Sequence, residues 1–525
     1  MTRATSAVTV RDEHHARVPR RSFGLRTAFV ASLALAPALL TYLLVHARFG
    51  VGVRAFVPNY WNDQVAYWHK AASFAKVGFA AGYYSPNEQL PVIHAVPYGV
   101  SGPWFPALYG TIGSISGWSS DTSILVNMGL LAVGFVVFAL LAKLDLTMIA
   151  LAGVALLACW PVLLYVPTAS QESLHQSIAI VLAGVFARAI RLGSAISTPE
   201  RIATLLFLAS AALLRYSWAI VLPVLILLWA KKLSPPGFVV AVSSGVALLG
   251  VSLKVTSLLQ PVGTNSGLDA FNELSTDPSR AVERIAQTTW DNLKAFSHPG
   301  ALDPVALPVQ AGVQDWLIVA LCALALLSVL KTRGRVTRLV AVTGLTEREA
   351  AFHLVNLGVT TIAALILYIP FGYYRFLGAH LLLSLLVFVA CRRPLVIALA
   401  VALSLAMLPA FLQSYDRWRP NFALDQAVVS RERAAFSRLI VYDSKASSPW
   451  CNTLLLPLPL FDWRVTLVPP GIGVSDESSK TVPNRPKSRY VLLDHPPPAG
   501  AAFRELGSFS AGTLYENGGS LCRRQ

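Results

Sequence analysis

The chain has 525 residues, 54% of them apolar and only 13% charged, with a mean hydropathy of +0.56. That charge content is about half the ~25% of soluble domains, so polar groups are too few to cover the apolar surface in water, and lipid must be the solvent. The net charge of +16 does not mark a nucleic-acid-binding face, because Lys and Arg stand mostly at the ends of apolar runs, where cytoplasmic anchoring puts them.

The N-terminus carries Arg17, Arg20, Arg21 and Arg26 before an apolar run from Thr27 to Val45. The run is long and many more follow, so it reads as a retained signal anchor with 1–25 as a basic cytoplasmic segment. A helix needs ~20 apolar residues to cross the hydrocarbon core. By that measure spans are predicted at 26–47, 122–143, 147–167, 173–192, 202–215, 217–230, 237–258, 313–331, 350–371, 375–391 and 394–414, about eleven in all. With the N-terminus inside, the cytoplasmic ends carry Lys143, Arg188, Arg191, Arg201, Lys231, Lys232, Lys331, Arg333, Arg335, Arg338, Arg392 and Arg393. The short outer turns Thr168–Gln171 and Gly372–Tyr374 carry neither Lys nor Arg, as the positive-inside rule requires. The expected location is a bacterial cytoplasmic membrane.

Three regions are expected outside. The loop 48–121 holds Asn62-Asp63, then a stretch in which Val65, Trp68, Ala72, Ala75 and Phe79 form an apolar stripe opposite His69, Lys70, Ser73 and Lys76. That pattern predicts a helix lying in the membrane interface. A Pro- and aromatic-rich stretch follows from His94 to Tyr109, then an apolar piece too short to span. The second region, 259–312, is polar and mixed. The third, 415–525, shows short β-like runs at Leu439–Tyr442, Thr453–Leu456, Arg464–Val468, Tyr490–Leu493 and Gly512–Tyr515, punctuated by Pro and Gly, and reads as a small extracytoplasmic α/β domain. Cys159, Cys322 and Cys391 lie in or at the end of apolar runs, where a thiol acts as a small hydrophobe. Cys451 and Cys522 lie in the outer domain and are candidates for a disulfide.

Between Ile202 and Ala230 there are too few residues for two full spans, yet both flanks are basic. A short helical hairpin satisfies both facts, with its tip at Arg215-Tyr216-Ser217 recessed where the bilayer thins or a water-filled cavity opens; the alternative is one long tilted span, which inverts everything downstream. An Arg amid apolar residues is a functional candidate, its alternative being snorkelling to the interface. At the tip its planar fork suits a lipid phosphate. Asp63 suits a general base or, equally, a helix N-cap. Glu172, in Ser170-Gln171-Glu172-Ser173, either complements a helix dipole or orients an acceptor. Arg375 repeats the phosphate chemistry, or anchors the interface beside Tyr373 and Tyr374. His69 and His94 are held as substrate contacts, against solvated surface histidines.

Taken in order, these features resemble the GT-C superfamily of membrane glycosyltransferases, nearest the branch of protein O-mannosyltransferases and lipid A aminoarabinose transferases. The resemblance rests on Trp61-Asn62-Asp63-Gln64-Val65-Ala66-Tyr67 after the first span and on Gly102-Pro103-Trp104-Phe105-Pro106-Ala107-Leu108-Tyr109 before the second. Ser170-Gln171-Glu172-Ser173-Leu174, Leu213-Leu214-Arg215-Tyr216-Ser217 and Tyr373-Tyr374-Arg375-Phe376-Leu377 complete it. It implies a polytopic α-helical fold and transfer from a polyprenyl-phosphate sugar donor to a lipid, glycan or protein acceptor, with inversion. Asp63 then takes the role of catalytic base, and Arg215 contacts the donor phosphate. Glu172, Arg375, Tyr67, His69 and His94 make up the expected substrate-binding set. Two departures stand out: Ser101-Gly102-Pro103 replaces a common His/Lys-Pro-Pro, and Glu172 replaces the commoner Asp. They leave acceptor recognition and any divalent metal open, and no residues are assigned to a metal. The rival readings are a transporter or lipid flippase, which predicts inverted repeats and ionisable groups near mid-bilayer, and a non-catalytic export subunit.

Overall fold

The computed structural model describes residues 20–50, 102–118, 122–230, 234–259, 276–297, 308–332, 345–367 and 373–406, with isolated positions and short strands within 52–96, 273, 408–412 and 490–517.

The described chain is mainly helical. In order come α1 (Arg20–Phe49), α2 (Trp104–Ser116), α3 (Thr122–Leu141), α4 (Leu146–Ala158), α5 (Trp160–Tyr165), α6 (Gln171–Leu192), α7 (Thr198–Leu214), α8 (Leu222–Trp229) and α9 (Pro235–Leu259). Then follow α10 (Pro278–Ser297), α11 (Pro308–Thr332), α12 (Glu347–His353), α13 (Thr360–Leu367), α14 (Tyr373–Ala390) and α15 (Pro394–Ala406). A helical segment lies at each of the eleven predicted positions. Five are long and apolar enough to cross a membrane: Arg26–Phe49, Thr122–Leu141, Gln171–Ala195, Pro235–Thr256 and Glu347–Ile366. Others are shorter apolar helices, among them Leu146–Ala158 and Leu377–Ala390.

The predicted span 147–167 is broken. Cys159 is extended between α4 and α5, and Pro161 stands at the start of α5. Proline removes an intrahelical donor and clashes with the carbonyl four residues back, so the helix stops and restarts.

At the centre stand α6, packed between α3 and α14, and α14, which also meets α4. Every described side chain of α14 from Leu377 to Ala390 is buried, as is α6 apart from Val181, Val185 and Arg188 over its first 20 residues. A helix covered on all sides is a core helix rather than a lipid-facing one. Small residues permit the closeness: a Cβ on Gly184 would stand 3.1 Å from the Phe138 Cα, and one on Gly134 3.2 Å from the Ser177 carbonyl.

The hairpin forms. α7 ends at Leu214, Arg215 is extended, and a 3₁₀ turn, Tyr216–Val221, leads into α8, whose restart carries Pro223. The arms return to the same end of the bundle, where the Arg201 guanidinium lies 5.7 Å from the Trp229 ring centroid. That end also gathers basic groups: Arg26 donates to the Leu144 carbonyl, Arg191 to the Leu141 carbonyl, Arg392 to Asp145 and Arg393 to Glu349.

In the first loop, the helical positions Tyr67, Lys70, Ala71, Phe74 and Ala75 are described. Here the predicted faces need correction. Lys70, assigned to the polar side, is buried with Ala71 and Phe74, and its Nζ lies 5.2 Å from the Tyr67 ring centroid. This face packs on α2: a Cβ on Gly110 would stand 2.7 Å from the Phe74 Cβ and 2.8 Å from the Ala71 carbonyl. A long alkyl stem and a cation–π contact let a lysine occupy a packed face that charge alone argues against. α2 itself has 13 residues, about 20 Å of helix and too short to cross. Two short strands, β1 (Tyr83–Ser85) and β2 (His94–Val96), pair antiparallel in the same loop. In the C-terminal region β3 (Tyr490–Leu493) and β4 (Phe503–Phe509) both pair antiparallel with β5 (Gly512–Asn517). β3 and β5 match predicted runs. β4 was not predicted, since Arg504-Glu505-Leu506-Gly507-Ser508 lacks β-branched residues, and its register shifts between Glu505 and Gly507. The other three predicted strands lie outside the described residues.

Candidate functional site

The loop before α6 is held from beneath. Asn127 of α3 donates through Nδ2 to the Val166 carbonyl at 2.9 Å and the Thr168 carbonyl at 2.7 Å, while its Oδ1 accepts from the Tyr109 hydroxyl at 2.5 Å. The two carbonyls can only accept, so the amide nitrogen faces them and the side chain has one orientation, with Tyr109 the donor to Oδ1. The Thr168 hydroxyl donates to the Tyr165 carbonyl and accepts from the Ser170 N–H. α6 therefore begins at a position set by α2 and α3.

Onto this helix start the hairpin break delivers Arg215. Its Nη2 donates to Glu172 Oε1 at 3.4 Å, and the two side chains are only 11% and 7% exposed. One long bond does not exhaust a guanidinium with five donors, and Arg215 Nη1 is buried without a hydrogen-bond partner among the described residues. Three residues on, Trp218 donates from Nε1 to His175 Nδ1 at 3.2 Å. An indole only donates, so Nδ1 accepts and the proton of neutral His175 sits on Nε2. That Nε2–H is also buried without a partner among the described residues, as are Ser170 Oγ, Gln171 Nε2, Ser173 Oγ and Gln176 Oε1. Ser170 makes no capping bond to the helix it opens. Within two turns, then, gather a cation paired with the Glu172 carboxylate, a helix N-terminus with its partial positive charge, one acceptor in Gln176 Oε1, and several donors lacking acceptors. Such a set suits an anion with several oxygens.

A second polar layer lies deeper. Asn356 sits in a π-helical segment, Leu354–Val359, between α12 and α13. It donates from Nδ2 to the His380 carbonyl and to Ser384 Oγ, each at 2.8 Å. Its Oδ1 lies 2.8 Å from His380 Nδ1. The carbonyl can only accept, which fixes the amide and puts the His380 proton on Nδ1. His380 Nε2 then accepts from Ser217 Oγ at 3.1 Å, and the Trp218 ring stacks on the imidazole at 4.4 Å. Ser384 Oγ, which accepts from Asn356, also lies 3.1 Å from His353 Nδ1, and His353 stacks on Phe388 at 3.7 Å. The wider turn of a π segment brings Asn356 against α14. Through Ser217 and Trp218 this network grips the residues immediately after Arg215.

Of the residues singled out from sequence, Glu172 and Arg215 meet. Tyr67 packs its ring 5.2 Å from Phe105, which stacks on Tyr109. Arg375 falls in the first turn of α14 and His94 opens β2 opposite Ser85, with both side chains outside the described set. Asp63, His69, Cys451 and Cys522 lie outside the described residues. Sequence reasoning passed over His175, Trp218, Asn356, His380 and Ser384. The signal was present as polar residues inside apolar runs, with His353/Asn356 and His380/Ser384 spaced three and four apart on helical faces. Among the described residues no three His, Cys, Asp or Glu side chains gather as a metal site would need. Comparison of the chain with family models, curated proteins and solved structures finds no match.

Proposed function

We propose that the chain is a membrane glycosyltransferase that moves a sugar from a polyprenyl-phosphate donor to an acceptor hydroxyl or amine at the membrane face where α6 begins. The observation that carries this reading is the buried Arg215–Glu172 pair set against an uncapped helix start rich in donors without acceptors. A lipid-linked sugar offers what such a site lacks: a phosphate whose oxygens gain charge as the bond to the sugar breaks. The acceptor oxygen or nitrogen attacks the anomeric carbon, its proton passes to Asp63, and the anomeric C–O bond breaks with its electrons going to the lipid phosphate. Arg215 and the α6 N–H groups neutralise that phosphate. A preorganised donor of this kind supplies about 3–4 kcal/mol. Glu172 holds Arg215 in place and limits its charge until the donor arrives. The gathering of Arg26, Arg191, Arg392 and Arg393 at the other end supports a cytoplasmic setting for that end.

The test is sugar transfer from a radiolabelled polyprenyl-phosphate donor by the purified chain in lipid nanodiscs. Asp63→Asn is expected to abolish turnover with the protein folded and inserted. Retained turnover rejects Asp63 as base, and no turnover by the unaltered chain with any polyprenyl-phosphate sugar counts against the whole reading.

Two observations favour a second reading, a lipid flippase or transporter. A broken helix and a buried His–Asn–Ser network inside the bundle are features of transport proteins. Donor movement across proteoliposomes without glycosyl transfer would select it.

A further inference from the structure

The end of the bundle opposite Arg215 carries a groove of about 200 Å³ between α6, α7 and α8. Its walls are Val181 and Val185 of α6, Ala203 and Phe207 of α7, and Trp229 of α8, with Arg188 at its mouth. Over the first 20 residues of α6, Val181, Val185 and Arg188 are the three positions that are incompletely covered. They recur at a spacing of four and three, one stripe of a helix. From Arg188 to Val181 the stripe runs about 10 Å into the bundle.

Two observations at the mouth point to what fills it. Trp229 is 8% exposed, and its Nε1–H is buried with no acceptor among the described residues. Arg201, whose guanidinium faces the Trp229 ring and is held through Nη2 by the Ser194 carbonyl at 2.7 Å, has a buried Nε–H in the same condition. A buried donor left without an acceptor is costly, so an acceptor belongs there. The rim is also cationic. Arg188 pairs with Glu200, and Arg191, which donates to the carbonyl of groove-lining Leu141, and Arg201, held by the Ser194 carbonyl, add two further charges.

We infer that this groove is a lipid-binding site taking one acyl chain of an anionic glycerophospholipid, whose phosphate or ester oxygens accept from Trp229 Nε1 and Arg201 Nε. An apolar slot forfeits dispersion energy unless a chain occupies it, and a headgroup with acceptors and net negative charge answers both orphan donors and the arginine rim. Basic pockets between helices are a recurrent form of lipid headgroup recognition. The inference stands apart from the glycosyl-transfer reading: Val185 lies 13 residues along α6 from Glu172, about 20 Å of helix.

The experiment is native mass spectrometry of the full chain released from detergent, titrated with phosphatidylglycerol, phosphatidylcholine or a polyprenyl phosphate. Phosphatidylglycerol is expected to be retained singly, at about tenfold lower concentration than phosphatidylcholine, as one charge-assisted hydrogen bond allows. Val185→Trp, which fills the groove, is expected to abolish that retention. The double variant Arg201→Gln/Trp229→Phe, which removes the guanidinium and the indole N–H but keeps an aromatic ring in the wall, is expected to weaken it by about tenfold or more. Equal retention of the two phospholipids overturns the inference. So does phosphatidylglycerol retention unchanged in the double variant, or displacement of that lipid by polyprenyl phosphate at equal concentration.

Discussion

Replacing Asn356 by Leu removes three hydrogen bonds at once from the centre of the bundle: to the His380 carbonyl, to Ser384 Oγ and to His380 Nδ1, each at 2.8 Å. Interhelical hydrogen bonds in membrane proteins average about 0.6 kcal/mol, because the unfolded chain in the membrane also finds partners, so the three contribute about 2 kcal/mol. The substitution also leaves the His380 Nδ1–H facing an alkyl group, which adds about 1–3 kcal/mol. Asn356→Leu is therefore expected to destabilise the protein by about 3–5 kcal/mol, measured by SDS-driven unfolding in mixed micelles. Ser384→Ala removes one of those bonds and the contact to His353, and is expected to cost about 1–2 kcal/mol. The double variant should show coupling of about 0.6 kcal/mol and no more than about 1.7. A loss below about 1 kcal/mol for Asn356→Leu would refute the reasoning, because it would mean that His380 and Ser384 take their bonds elsewhere.

Three further outcomes are expected. Arg215→Gln should lower sugar transfer about 10²–10³-fold with little change in donor KM, the signature of a group acting on the departing phosphate; an equal loss in KM and none in kcat would make Arg215 a ground-state contact. Gly110→Val should destabilise by about 1–3 kcal/mol or more through overpacking, since even a Cβ there stands 2.7 Å from Phe74; unchanged thermal unfolding in detergent would mean that Ala71 and Phe74 do not lie against α2. At the start of α10, the Asp277 carboxyl is held below the usual carboxylate range by the Ser279 hydroxyl and the Arg280 N–H. A carboxylate with a lowered folded pKa contributes stability above its unfolded pKa and loses it as pH falls through the folded one. Amide exchange over the first turn of α10, corrected for intrinsic rates, should therefore rise as the medium is acidified from the ordinary carboxylate range down through the lowered value, and Asp277→Asn should remove that dependence.

What the amino-acid order determined by itself was the solvent and the helices. Length and apolar content dictate where a segment becomes a helix in lipid, because every backbone polar group must be satisfied within it. Even the hairpin was legible, since 202–230 is too short for two crossings between basic flanks. The break at Cys159 was also open to reading from Pro161. Tertiary structure decided the rest. That Arg215 meets Glu172, 43 residues earlier, follows from where α7 ends against α6, which no local pattern encodes. The Asn356 network needs five polar side chains from four segments to come within 3.1 Å of their partners, and each alone reads as a tolerated polar residue in an apolar run. Lys70 shows the same limit in reverse: charge argued for an exposed face, and packing against α2 buried it. Helix formation in a membrane is settled by nearest neighbours along the chain, whereas which faces meet depends on close packing of small residues and on polar groups finding partners across helices.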